Sequence, residues 1–145
     1  MSHQDLGRIL LAIFCILQGA AALAIDLNRT HAAHPLWLGH ARFHVVWQAS
    51  TTALLAILQV VLLTWRGPME RERFYLAALL ASLPIFGFFA AMSTRAMYGG
   101  ALSDPAGIPP LNLMILGRSR RIDLNLVAEI LGVALVAILV ILYRH

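Results

Sequence analysis

The chain has 145 residues, 60% of them hydrophobic and only 12% charged, with a formal net charge of +4. Mean hydropathy is +0.78, and the apolar positions come as long runs rather than as one face of each segment. That excludes a soluble globular domain and points to a single integral membrane domain. All eleven basic residues are arginine, spread over loops and ends with neither a basic stripe nor interleaved aromatics. No nucleic-acid site is therefore read, and membrane lipid with anionic headgroups is the expected partner of the positive rim. The single cysteine, Cys15, sits in an apolar run and excludes disulfide chemistry within one chain.

The first span is expected over about 9–25, after a short polar start containing Asp5 and Arg8. Ala22-Leu23-Ala24 resembles a signal-peptidase site, but Asp5 offsets Arg8 and weakens the positive leader, so the segment is read as a retained span. Gly19-Ala20-Ala21-Ala22 offers a smooth surface for close helix packing. A polar connection follows, with Pro35 and Gly39 as breakers, and leads into a second span over about 41–65. Trp37 and Trp47 read as interfacial anchors, with Trp65 at the far end of the span. A short charged turn, from Arg66 to Arg73, precedes a third span over about 74–93. Pro84 and Gly87 predict a kink there, which would free a backbone carbonyl inside the bundle. Gln18 and Gln59 are expected to hydrogen-bond between helices.

A long connection over 94–121 holds Pro105, Pro109 and Pro110, and loops of this length are commonly lids or binding loops. Within it, residues 111–116 are too few to span and read as an interfacial or re-entrant segment held by Arg118, Arg120 and Arg121. The last span is expected over about 124–143. The fold class is thus an all-α, integral membrane four-helix bundle. Four spans put the first and third loops on one side, with both termini and the second loop on the other. Five arginines against six give no bias in orientation, while the arginine-dense second loop favours a cytoplasmic N-terminus in a bacterial inner membrane.

This topology gathers polar groups at one membrane face. Asp26 ends the first span, His40, Arg42 and His44 start the second, Arg95 follows the third, and Asn125 and Glu129 start the fourth. The opposite half reads as nearly bare of intramembrane charge. Glu129 lies about 8 Å into its span at helical rise, where an ionised carboxylate requires a partner. His40 and His44 are one helical turn apart on one face.

Three readings follow. In the first, His40 and His44, with Glu129 and Asp26 from neighbouring helices and Asp104 in reserve, hold zinc or iron. The zincin pattern is absent, since Ala41 stands where its glutamate belongs. In the second, His40, His44 and Glu129 perform metal-free acid–base chemistry on a lipophilic small molecule, with Arg42 as counter-charge and His31, Arg95 and Asn125 as binding groups. In the third, the polar cluster only fixes helix register, and the protein is an accessory or scaffold subunit, either as a homo-oligomer or within a membrane complex. Whether the chain is an enzyme stays open at this level.

The pattern Asp26-x-Asn28-x-Thr30-His31, then Pro35-x-Trp37, then His40-Ala41-Arg42-Phe43-His44 resembles small four-span bacterial integral membrane proteins of uncharacterised function. The resemblance covers the first loop and the start of the second span. It implies a four-span membrane fold and marks this segment as the distinctive one, but brings no reaction with it.

Overall fold

The computed structural model describes residues 1–103, 108–115 and 117–145. Four long helices dominate: α1 (His3–Asp26), α2 (Gly39–Thr64), α3 (Glu70–Thr94) and α4 (Leu124–Arg144). Each is long and apolar enough to cross a membrane, and the protein is a multi-pass helical bundle. In cross-section the helices follow chain order, with α1 and α3 each packed between α2 and α4.

Local chemistry sets the helix ends. Ser2 caps α1 in a reciprocal capping box with Asp5. Asp123 caps α4, its carboxylate accepting the Leu126 N–H at 3.0 Å. Glu70 and Glu72 complement the dipole in the first turn of α3. The helix runs on through Pro84. One turn before that proline, the Ala81 carbonyl accepts the Gln18 side-chain amide from α1 at 3.1 Å, so Gln18 bonds between helices as expected. Gln59 is buried but makes no side-chain hydrogen bond among the described residues.

Residues 111–115 do not form a re-entrant segment. They are strand β1 (Leu111–Ile115), paired antiparallel with β2 (Arg118–Ile122) in register Leu111↔Ile122 and Leu113↔Arg120. Gly117, at φ +74°, supplies the left-handed residue that such a reversal needs. The short run alternates apolar Leu111 and Leu113 around Asn112, a strand period rather than a helical one.

The core is unevenly placed along the bundle. Leu11, Cys15, Leu63, Phe74, Ala77, Ala81, Val136, Leu139 and Tyr143 form one buried cluster, with the Phe74 and Tyr143 rings stacked at 3.7 Å. All of these lie in the half next to the termini and the second loop. Beyond Ile85 no residue of α3 is buried, and before Gly132 none of α4 is. Along α3 and α4 one half is thus tightly packed and the other loose, while α1 and α2 still bury Gly19 and Ala49 in that second half.

The packed half also holds a buried arginine with its partners. Arg8 is 4% exposed. Its guanidinium donates to the Leu63 and Trp65 carbonyls at the end of α2, and Nη1 stands 2.7 Å from Glu70 Oε1. Arg66 bridges Glu70 and Asp5 on the surface. Arg73 donates to the carbonyls of Trp65, Gly67 and Pro68. Two arginines thus satisfy carbonyls that a helix C-terminus leaves unpaired. The expectation that this half is nearly bare of intramembrane charge is corrected at Arg8, which is buried, whereas Arg66, Glu70 and Arg73 belong to the charged turn expected on this side.

Close packing of α1 on α2 depends on Gly19, where a Cβ would meet Ala56 Cβ at 2.7 Å and Ala53 Cα at 3.4 Å. Gly19→Val is therefore expected to lower stability by about 1–3 kcal/mol through overpacking, read as an earlier thermal transition in detergent. Gly87 has open space around it, and Gly87→Ala should be neutral or stabilising by up to about 1 kcal/mol.

Candidate functional site

The connection between α1 and α2 (27–38, loop one) is folded rather than slack. Asn28 Oδ1 accepts the Thr30 N–H at 2.7 Å and its hydroxyl at 2.6 Å, an Asx-type turn. The Asp26 carbonyl accepts the Ala32 N–H at 2.9 Å, and the His31 carbonyl accepts that of His34. His34 is buried, and its Nδ1 accepts the Leu36 N–H at 3.2 Å. Trp37 lies edge-on to His31, with ring centroids 5.8 Å apart, and beside His34 at 6.1 Å.

Arg42 locks this loop onto α2. Its Nε donates to the Trp37 carbonyl at 2.9 Å, and Nη2 donates to the carbonyls of His34 at 2.7 Å and Pro35 at 3.2 Å. The planar guanidinium is the one side chain that reaches three carbonyls of a preceding turn at once. The expected role as counter-charge to a carboxylate is not what its contacts serve.

A cleft of about 360 Å³ opens at the loose end of the bundle, between loop one and the connection leading from α3 to α4 (loop three, 95–123). Thr30, His31 and Trp37 line it from loop one, Leu102, Ser103 and Ile108 from loop three, and Asn125 from the first turn of α4. Its lining mixes polar and apolar side chains. His31 and Asn125, expected as binding residues from distant parts of the chain, come together here. Arg95 does not join them: it lines a smaller neighbouring cavity of about 190 Å³ with Phe88, Met92 and Tyr98, and its Nη1 donates to the Met92 carbonyl at 3.1 Å.

The residues expected to carry chemistry are placed apart from this cleft. His40 and His44 form a pair, Nε2 to Nε2 at 3.0 Å, on an exposed face of α2. His44 stacks on Trp47 at 5.9 Å. Glu129 is half-buried in α4, and among the described residues no hydrogen bond or ion pair joins it to His40, His44 or Arg42. Asp26 closes α1 and is half-buried. Among the described residues, no three His, Cys, Asp or Glu side chains group closely enough to hold a metal ion. Asp104 and Pro105 lie outside the described residues.

Trp37, Thr30 and Ser103 were not singled out as site residues from the sequence. The available signal was local: a tryptophan two residues after Pro35, inside a polar connection already dense in hydrogen-bonding side chains. Comparison with family models, curated proteins and solved structures finds no match.

Proposed function

We propose that the protein binds a lipophilic small molecule with a polar head in the cleft between loops one and three. The observation that carries this reading is the convergence of His31, Trp37 and Asn125, from loop one and α4, on one cavity together with Leu102 and Ile108. Its volume of about 360 Å³ is within the range of small-molecule sites, roughly 300–1,000 Å³. Its position at the end of a hydrophobic bundle gives a tail direct access to lipid. The packed half, locked by Arg8 and Arg73, lets the other half stay loose without loss of the fold.

We infer a bacterial inner membrane as the setting. Exposed Arg118, Arg120 and Arg121 on the hairpin, beside exposed Leu111 and Met114, suit anionic headgroups at the same face. Catalysis is not part of the reading, because the acid–base candidates His40, His44 and Glu129 do not line the cleft.

The test uses the chain's own tryptophans. With Trp47→Phe and Trp65→Phe, Trp37 reports on the cleft; with Trp37→Phe and Trp47→Phe, Trp65 reports on the opposite end. In detergent, 9,10-dibromostearyl alcohol should quench Trp37 saturably and Trp65 only in proportion to its concentration in the micelle. Equal, unsaturable quenching of both would sink the proposal.

A further inference from the structure

His31 lines the cleft, and among the described residues only one of its ring nitrogens has a hydrogen-bond partner. Its Nδ1 stands 2.8 Å from Thr30 Oγ1. The Thr30 hydroxyl has a single proton, and Asn28 Oδ1, 2.6 Å away, takes it. That oxygen is fixed in place, since it also accepts the Thr30 N–H at 2.7 Å while Asn28 Nδ2 donates to the Ala24 carbonyl at 3.1 Å. With its proton committed, Thr30 Oγ1 can only accept from the imidazole. Neutral His31 therefore carries its proton on Nδ1, and Nε2 is left as a bare acceptor. The asparagine, threonine and histidine form a relay that sets a tautomer.

The walls add a second constraint. None of the described residues lining the cleft is Arg, Asp or Glu. An anionic head would bring acceptors against the Nε2 lone pair and meet no cation among the described lining residues. A quaternary ammonium head would offer Nε2 no hydrogen to accept, and none of the described lining residues is a carboxylate. A hydroxyl satisfies both sides, donating to Nε2 and accepting from an amide N–H of Asn125. The apolar wall of Trp37, Leu102 and Ile108 suits the chain that follows.

Resting on the cleft reading above, we propose that the ligand is a neutral lipid alcohol, selected by the tautomer of His31 that Asn28 and Thr30 impose. Uncharged heads are chosen over charged ones because polar groups that a bound ligand desolvates and leaves unpaired cost more than a matched hydrogen bond contributes.

The experiment compares three probes sharing one tail: 9,10-dibromostearyl alcohol, its sulfate ester and the corresponding trimethylammonium. Each is titrated at pH 8 into the full-length protein with Trp37 as the sole tryptophan. The alcohol should bind about tenfold more tightly than either charged probe, the size of one charge-sensitive hydrogen bond. Thr30→Val releases Nδ1 and lets the proton move to Nε2, so the preference for alcohol over sulfate should shrink severalfold. His31→Gln, which offers both a donor and an acceptor, should do the same and serves if Thr30→Val disturbs loop one. Charged probes binding as tightly as the alcohol would overturn the proposal while leaving the cleft standing. So would a preference unchanged in both variants. Unsaturable quenching by all three would remove the cleft reading and this inference with it.

Discussion

Arg8→Ala is expected to lower the stability of the bundle by about 3–5 kcal/mol, chiefly the cost of leaving carbonyls without a donor and a void in the packed half. Three losses combine. The Leu63 and Trp65 carbonyls lose a donor at the end of α2, and Glu70 loses the guanidinium nitrogen 2.7 Å away. A void also opens beneath the buried side chain. Glu70→Gln should cost less, about 1–2 kcal/mol, because the carbonyls still hold Arg8 and Glu70 is partly solvated, with 35% of its side chain exposed. Unfolding in mixed detergent, monitored by helical circular dichroism, reads both. Equal effects from the two substitutions would place the energy in the ion pair rather than in the helix cap.

Arg42→Ala is expected to separate stability from binding. Three hydrogen bonds from one cation to the His34, Pro35 and Trp37 carbonyls would be lost, a cost of about 2–3 kcal/mol in fold stability. The larger effect falls on the cleft. Trp37 and His31 are held in its wall by the loop that Arg42 clamps, so affinity for the brominated alcohol should drop by more than tenfold. Arg42→Lys should recover little of this, since an ammonium cannot span three carbonyls in one plane. Retained affinity in Arg42→Ala would mean that loop one keeps its shape without the clamp.

The helices were legible because membrane spans announce themselves in hydropathy. Their ends differ from expectation mainly where the helix extends into polar sequence, through the capping box at Ser2 and the acidic first turn at Glu70 and Glu72. Loop one was legible as a place: the concentration of His31, His34, Arg42 and Asn28 marked it. Their roles were not, because the partners of Arg42 and Arg8 are backbone carbonyls, which every residue has and no sequence pattern displays. The same blindness hid the network at the packed end. Arg8 looked like a solvated start to the first span until α2 was seen to end against it.

The helical spacing of His40 and His44 was read correctly as bringing two imidazoles together. Spacing within one helix gives no information about which way that face turns, and here it turns outward. By contrast Asn125 was placed by topology alone, which puts helix ends on a common membrane face, and it lines the cleft together with His31. The β1–β2 hairpin was missed because five apolar residues beside arginines suit a lipid-facing helix turn as well as a strand, and only the pairing partner distinguishes them.

The central claim is most directly tested by native mass spectrometry of the protein released from a mild detergent, without added lipid. The wild-type chain is expected to carry one small lipophilic molecule per protein. That adduct should vanish in Trp37→Ala/Asn125→Leu and persist in His40→Ala/His44→Ala, whose histidines lie outside the cleft. An adduct lost only when the histidine pair is removed would contradict the account, as would one indifferent to Trp37 and Asn125.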